Sequence, residues 1–133
     1  MKVAVIIVNY NDAEDTKKYV NTISKYEIIN RIVVVDNLST TVGTFDKLKK
    51  LENEKVKVIS SDKNGGYDYG NNFGVRYLQS INEKYDYIII SNPDIEITET
   101  AIKHCLEVID NDKKIGVIAP RMFDKENKPI TSK

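Results

Sequence analysis

The chain has 133 residues, enough for one domain whose core needs no disulfide or structural metal. Its 20 Lys and Arg residues balance 20 Asp and Glu residues, so no net charge attracts nucleic acid or an anionic membrane, which disfavours a dedicated nucleic-acid-binding protein. One cysteine excludes an internal disulfide framework and a multi-cysteine zinc site, and it fits a reducing compartment.

The N-terminal apolar run, residues 3–8, predicts the first strand of the fold. It is far shorter than the roughly 20 residues that span a bilayer, and no small-residue cleavage site of a signal peptide follows it. Instead the run leads directly into polar Asn9, Tyr10 and Asn11. We therefore expect a cytoplasmic protein, with peripheral association at the inner face of the membrane left open.

Four further runs rich in β-branched residues predict strands at 32–35, 56–59, 87–90 and 115–119. These runs show little alternation, which is typical of strands buried on both faces of a parallel sheet. Helices are predicted between the strands. The first carries a stripe of Tyr19, Ile23 and Tyr26 after a cap at Asp12 or Asp15, and a weaker helix is predicted over 41–51. The third carries a stripe of Phe73, Tyr77 and Ile81, and the fourth runs from Thr98-Glu99 to near Asn111 with an apolar face of Ala101, Cys105, Leu106 and Ile109. The alternating order predicts a doubly wound α/β sheet, mostly parallel, with helices on both faces, followed by a turn or hairpin in the polar tail 121–133.

Polar side chains follow three of the predicted strands. Asn9-Tyr10-Asn11 follows the first, Asp36-Asn37 the second and Asn92-Pro93-Asp94 the fourth. If the strands are parallel, these clusters line one edge of the sheet, where ligands bind in open α/β folds. A carboxylate beside an amide oxygen at 92–94 suits a hard cation carrying a phosphorylated ligand; the alternative is that Asp94 caps the following turn.

A glycine-spaced loop follows the third strand and leads into a helix. Gly65 and Gly66 permit close approach of the backbone to a ligand, and the N–H groups at the start of the helix can bind an anion; the alternative is a simple turn. Tyr67, Asp68 and Tyr69 could contact a sugar or merely pack the loop. Elsewhere, the lone His104 is expected at the surface and Cys105 in the core.

Several other nucleotide-binding folds fit the sequence poorly. The first turn has none of the glycines of a dinucleotide-binding Rossmann site, and the chain has no Gly-Lys-Ser/Thr segment of a P-loop. A phosphoacceptor receiver domain would have its Asp after the third strand, whereas the acidic cluster of this chain follows the second strand. A sugar-phosphate nucleotidyltransferase would have a basic glycine-rich loop after the first strand, and that loop is absent as well.

Four motifs in chain order carry a resemblance to a known family. They are the apolar strand into Asn9-Tyr10-Asn11, the segment Val35-Asp36-Asn37-Leu38-Ser39, the pattern Asn64, Gly66, Gly70, Asn72 and Gly74, and the element Asn92-Pro93-Asp94. With them the chain resembles the nucleotide-binding half of the large inverting glycosyltransferase family 2, which has the Rossmann-like GT-A fold, and particularly its rhamnosyltransferase-like members. The motifs span nearly the whole chain, so the resemblance is specific.

The resemblance implies roles for these residues. Asn9, Tyr10 and Asn11 would wrap the base and ribose of a nucleoside-diphosphate sugar, with Asp36 accepting a hydrogen bond from either; Asp36 could also cap a helix. The implied binding set is Asn9, Tyr10, Asn11, Asp36, Asn37, Gly65, Gly66, Asn72 and Asn92. Asp94 would hold Mg²⁺ or Mn²⁺, which neutralises charge on the leaving diphosphate.

Two positions depart from the family pattern. Asn71 replaces a common Arg, which removes a cation, and Asn92 replaces the first metal-site carboxylate, so metal binding is expected to depend on the diphosphate. The family's catalytic base and its segment for a saccharide or other hydroxyl acceptor would lie beyond Lys133. We therefore expect residues 1–133 to form a single nucleotide-sugar-binding domain, the truncated N-terminal part of a glycosyltransferase that is inactive alone. The alternative is a non-catalytic α/β module that works through protein contacts.

Overall fold

The computed structural model describes residues 1–130. The chain divides into two compact units, Met1–Glu96 and a second unit that begins at Ile97. The first unit contains the sheet and every predicted ligand-binding residue. Its elements are β1 (Val3–Asn9), α1 (Ala13–Ile23), β2 (Arg31–Asp36), α2 (Thr44–Lys49), β3 (Val56–Ser60), α3 (Tyr67–Ser80) and β4 (Tyr87–Ser91).

The four strands form one parallel sheet in the order β3-β2-β1-β4. The chain proceeds from β1 outwards to β3 and then crosses back over β1 to place β4 on its other side. The strand order therefore reverses between β1 and β4, and in open α/β sheets the crevice outside the carboxyl ends of the strands at such a point is the usual place for a ligand.

The helices of the first unit cover both faces of the sheet, as predicted. On one face, Gly70 and Gly74 of α3 lie directly against Val8 and Ile6 of β1. On the other face, Tyr19 of α1 reaches Ser91, the last residue of β4. This arrangement confirms the doubly wound α/β architecture.

Burial of both strand faces was predicted for every strand, and that prediction is wrong for the outer two. β1 is buried along its whole length and β2 nearly so. β3 alternates between buried and half-buried positions and ends on an exposed one, and β4 alternates between half-buried and exposed positions until Ser91. Ile88 and Ile90 of β4 are 41% and 45% exposed. The reason is position: within residues 1–130, each outer strand has a neighbour on one side only. Sequence hydrophobicity does not specify that position.

The first two helices differ in how closely they match the sequence. α1 begins where predicted, with the Asp12 side chain accepting a hydrogen bond from the Asp15 N–H at 3.4 Å. α2 covers only Thr44–Lys49, because Gly43 before it has φ 81°, a left-handed conformation that ends any helix upstream. Asp36 caps no helix, so that alternative for its role is wrong.

The second unit contains α4 (Glu99–Asn111), whose start and end were predicted. The hydroxyl of Thr98 accepts a hydrogen bond from the Ala101 N–H at 3.2 Å and caps the helix, Leu106 is buried, Cys105 is half-buried and His104 is exposed. The tail forms the predicted hairpin, with Phe123 opposite Pro129, while residues 131–133 lie outside the described part of the chain.

The fifth predicted strand, 115–119, is wrong: this stretch is irregular and Val117 is 88% exposed. A β-branched run becomes a strand only when another strand hydrogen-bonds to it, and no described residue pairs with this one. No helix in residues 1–130 combines the length and apolar character needed to cross a membrane.

Candidate functional site

The centre of the candidate site is a buried pair formed by the last residues of β1 and β2. Asn9 and Asp36 lie opposite each other in the sheet, and they are 0% and 2% exposed. The Asn9 amide nitrogen donates to Asp36 Oδ1 at 2.9 Å, while the Thr16 hydroxyl of α1 donates to Asn9 Oδ1 at 2.8 Å. Both ends of the Asn9 amide are thereby satisfied, which fixes its orientation.

The Asp36 carboxylate is held entirely by neutral donors. Ser39 Oγ donates to Asp36 Oδ1 at 2.5 Å, and the Ser39 N–H donates to Oδ2 at the longer distance of 3.3 Å. A buried carboxylate is stable only when hydrogen bonds replace its lost hydration. Because each carboxylate oxygen can accept about two hydrogen bonds, Oδ2 keeps capacity for one further donor.

Asn11 joins the loop after β1 to the loop after β2. Its side chain donates to Thr40 Oγ1 at 3.0 Å and accepts from the Thr41 N–H at 2.9 Å, while its own N–H donates to Ser39 Oγ at 2.8 Å. Asn11 has φ 56°, a left-handed conformation that asparagine tolerates better than most residues. The Asn11 side chain, predicted to wrap the nucleoside, is exposed and is hydrogen-bonded within the protein, and neighbouring Tyr10 is 46% exposed.

Asn37 holds the glycine loop in place. Its amide nitrogen donates to Asn64 Oδ1 at 3.1 Å and to the Gly66 carbonyl at 3.0 Å, and its amide oxygen accepts from Ser61 Oγ at 2.9 Å. Gly66 has φ 86° and immediately precedes α3, so here the glycine is required by the backbone. Gly65 and Gly66 are both exposed at the loop surface.

Asn71, which the sequence analysis noted only as the replacement of an Arg, lies on the buried face of α3. It is 9% exposed, and its Oδ1 is the one buried side-chain oxygen or nitrogen in residues 1–130 without a hydrogen-bond partner. Leaving such an atom unpaired costs about 1–3 kcal/mol. Asn72, predicted to line the site, is exposed. The signal was present in the spacing, because Gly70, Asn71, Gly74 and Leu78 together form the buried face of the helix.

A hydrogen bond from α1 holds the carboxyl end of β4. The hydroxyls of Tyr19 and Ser91 are 2.5 Å apart, and the two residues are 6% and 5% exposed. Burial raises the pKa of Tyr19, against the opposing effect of the hydrogen bond to Ser91, with smaller upward contributions from the Tyr26 and Tyr67 phenols. Tyr19 therefore stays a neutral phenol in the physiological range.

Asn92 and Asp94 follow Ser91 and are both exposed, with Asp94 in a turn. No three His, Cys, Asp or Glu side chains converge on a possible metal position in the part of the chain that the structure describes. A hard cation at Asp94 would need most of its oxygen ligands from elsewhere. Because β1, β2 and β4 are parallel, their carboxyl ends lie at the same edge of the sheet. Asn9, Asp36 and residues 92–94 therefore all lie at that edge.

The two tyrosines at the start of α3 differ in their contacts. Tyr69 packs against the loop after β3: its hydroxyl donates to the Asp62 carboxylate, and the Lys63 ammonium lies 4.7 Å from its ring centroid. That hydrogen bond raises the pKa of Tyr69 and lowers the pKa of Asp62. Tyr67, by contrast, is 44% exposed and remains available to a ligand, as does exposed Asp68.

Comparison with known proteins gives a consistent result. The model of glycosyl transferase family 2 matches residues 4–132. Agl10, the low-salt glycan biosynthesis hexosyltransferase of Haloferax volcanii, is 33% identical over 128 residues, which are 96% of this chain and 38% of that protein. The chain thus spans well under half the length of this curated relative.

Two solved structures share the fold. S. aureus TarS 1-349 in complex with UDP-GlcNAc superposes with a TM-score of 0.64 at 24% identity, covering 84% of this chain and 32% of that one. The 4-diphosphocytidyl-2C-methyl-D-erythritol synthase of Anaerococcus prevotii superposes with a TM-score of 0.61 at 10% identity, covering 96% and 61%. These likenesses confirm the predicted GT-A, Rossmann-like fold.

Proposed function

This chain belongs to glycosyl transferase family 2, and we propose that it forms the donor-binding part of an enzyme that transfers a sugar from a nucleoside diphosphate to a hydroxyl acceptor with inversion. The observation that carries the proposal is the buried Asn9–Asp36 pair beside the point where the strand order reverses. Folding alone does not require a buried carboxylate at the carboxyl ends of β1 and β2. Binding of a ligand with N–H or hydroxyl donors would explain the carboxylate, because it accepts hydrogen bonds from such groups.

Asp36 is the proposed recognition residue for the nucleoside. Its Oδ2 accepts one long hydrogen bond from the protein and would accept a second from a base N–H or a ribose hydroxyl. Exposed Tyr10 supplies an aromatic surface beside it. The unpaired oxygen of Asn71 on α3 is a second buried acceptor, and a bound ligand or a water molecule would supply its missing donor.

Asp94, with the amide oxygen of Asn92, would hold Mg²⁺ or Mn²⁺. A single carboxylate fits such an ion only when the diphosphate oxygens complete its coordination, so we propose that metal and nucleotide bind together. When bound, the ion supplies positive charge against the negative charge that develops on the leaving diphosphate. The chain's own residues would bind the donor.

We propose narrower assignments as well. Because Agl10 is a hexosyltransferase of glycan biosynthesis, we propose a hexose donor and a role in polysaccharide assembly, with the rhamnosyltransferase-like subgroup as the more specific form of that proposal. The acceptor would be a saccharide or another hydroxyl compound. We place the reaction in the cytoplasm, with peripheral association at the inner face of the membrane.

Nucleotide binding tests the proposed function directly. Calorimetric titration with UDP, GDP and dTDP should show one preferred nucleotide, bound about tenfold more tightly or better with Mn²⁺ than without it, a difference of about 1.4 kcal/mol. Asp94→Ala should abolish that gain and leave metal-free binding in place. The matched control is Glu27→Ala, an exposed carboxylate before β2 at the opposite edge of the sheet, which should bind like wild type.

Two outcomes would contradict the proposal. Absence of binding by all three nucleotides would favour a non-catalytic module that works through protein contacts. A metal gain that survives Asp94→Ala would remove Asp94 from the metal site while leaving nucleotide binding intact.

A further inference from the structure

Two hydroxyl groups on one face of α1 touch both sides of the crevice between β1 and β4. Thr16 and Tyr19 are three positions apart, which places them side by side on the helix, and they are 0% and 6% exposed. Neither belongs to the family motifs, and neither needs its hydroxyl to pack against a sheet.

The Thr16 hydroxyl acts on the β1 side of the crevice. A threonine within a helix ordinarily returns its hydroxyl to a backbone carbonyl one turn earlier. Here it donates instead to Asn9 Oδ1, at 2.8 Å. That bond turns the Asn9 amide nitrogen towards Asp36; the reversed amide would place an oxygen against the carboxylate. Thr16 thereby selects the Asn9 orientation that holds Asp36 with Oδ2 available.

The Tyr19 hydroxyl acts on the β4 side. Ser91 is the last residue of β4 that pairs with β1, opposite Ile7, although β1 itself continues to Asn9. The chain therefore leaves the sheet directly after Ser91 and enters the 92–94 turn. The Tyr19–Ser91 hydrogen bond, at 2.5 Å, fixes the point of departure.

We propose that Thr16 and Tyr19 are positioning residues of the donor site, Thr16 for nucleoside recognition through Asn9 and Asp36, and Tyr19 for the metal and diphosphate through Ser91 and the 92–94 turn. The inference rests on the proposed function and assigns each of the two hydroxyls to a different part of the donor site. It assigns the alignment of the two sides to one rigid helix beneath the crevice.

The two assignments give two different binding signatures. Thr16→Val removes the hydroxyl at constant shape, and we expect it to weaken metal-free binding of the preferred nucleotide about fivefold, the effect of about one hydrogen bond, while the gain from Mn²⁺ is retained. Tyr19→Phe should leave metal-free affinity within about twofold of wild type and reduce the gain from Mn²⁺ about fivefold or more, by the same arithmetic.

Controls separate positioning from general stability. Thr16→Ser keeps the hydroxyl and should restore metal-free affinity. Tyr85→Phe removes a phenol that bonds Arg31 and Glu83 near the amino end of β4, away from the crevice, and it should lower thermal stability without changing either binding quantity. Where Thr16→Val or Tyr19→Phe lacks a folded circular dichroism spectrum, Thr16→Ala and Ser91→Ala remove the same two bonds.

The results distinguish this inference from the proposed function. If wild type binds a nucleotide with a gain from Mn²⁺ but Tyr19→Phe and Thr16→Val bind as Tyr85→Phe does, the positioning role is overturned alone. The same holds if both variants lose both quantities equally. If wild type binds no nucleotide, the proposed function fails first and the positioning role fails with it.

Discussion

Neutral amides and hydroxyls organise the candidate site one side chain at a time. Asn9, Asn11 and Asn37 each satisfy both ends of their amide within the protein, and together they tie three loops to one edge of the sheet. Asn9 and Asn37 are buried, so losing one of their partners leaves the other unpaired at a cost of about 1–3 kcal/mol. The site is therefore formed before any ligand arrives.

Close packing at glycine is the second feature that single residues decide. A Cβ on Gly74 would lie 2.7 Å from Ile6 Cγ2 and 3.2 Å from Val35 Cγ2, so Gly74→Ala must push α3 away from the sheet. We expect a loss of about 1–3 kcal/mol in the free energy of unfolding, which outweighs the gain in helix propensity of about 1 kcal/mol. Urea denaturation measures the difference.

Gly116→Ala is the matched control, because a Cβ there meets nothing within 4 Å. It should leave the free energy of unfolding within about 0.5 kcal/mol of wild type. Equal effects of the two substitutions would show that α3 yields easily and that its contact with β1 is loose.

Among the elements, the connection from α2 to β3 holds a charge cluster of one carboxylate and two lysines. Glu52 follows α2, and its carboxylate lies 2.8 Å from the Lys49 ammonium and 3.1 Å from the Lys57 ammonium. It also accepts the Val58 N–H at 3.0 Å. The hydrogen bond from Lys49, opposed by desolvation and aided by the bonds from Val58 and Lys57, lowers the pKa of Glu52 from 4.5 to about 2. One carboxylate thus fastens the end of a short helix to the outer strand β3.

This pKa has a consequence for stability in acid. Because the folded pKa lies below the unfolded value of 4.5, the contribution of Glu52 is complete above pH 4.5 and is lost as the pH falls towards 2. Glu52→Gln should therefore be less stable than wild type at pH 6, with a difference that shrinks steadily between pH 4.5 and 2. Denaturant unfolding across that range measures it, and a difference that stayed constant down to pH 2 would contradict the assignment.

Across the first unit, stability is expected to be uneven from one side of the sheet to the other. β1 is buried throughout and pairs on both sides, whereas β4 pairs with β1 and leaves Ile88 and Ile90 exposed. Local opening costs least where few apolar contacts and few neighbouring strands resist it. The candidate metal turn at 92–94 thus follows β4, the strand with the lower expected local stability. The proposed nucleoside site lies at the end of β1, the strand with the higher expected local stability.

Amide hydrogen exchange measures this gradient. We expect the amides of residues 4–8 in β1 to exchange only with global unfolding, and those of 87–91 in β4 to exchange at least tenfold faster, which corresponds to about 1.4 kcal/mol less protection. Binding of the nucleotide with Mn²⁺ should slow exchange in β4 more than in β1. Equal protection of both strands in the free protein would show that the outer strand is as rigid as the central one.

The amino-acid sequence by itself determined most of the elements and the family. Four strands, the caps of α1 and α4, and the polar clusters after β1, β2 and β4 all follow from local patterns, because period, capping and turn chemistry depend on residues a few positions apart. The parallel arrangement then followed from their alternation. The same reasoning failed at 115–119, since a strand is completed by a partner that the local pattern does not contain.

Only the tertiary structure decided which side chains meet. In the folded chain Asn71 is buried and Asn72 is exposed. Asn11 links the loops after β1 and β2 through its hydrogen bonds. Tyr19 contacts Ser91, which lies 72 positions later in the sequence. The tertiary structure also left the outer faces of β3 and β4 partly open. Such contacts arise from how α1 and α3 pack on the two faces of the sheet. Packing couples residues that are distant in the chain, so no local pattern encodes it.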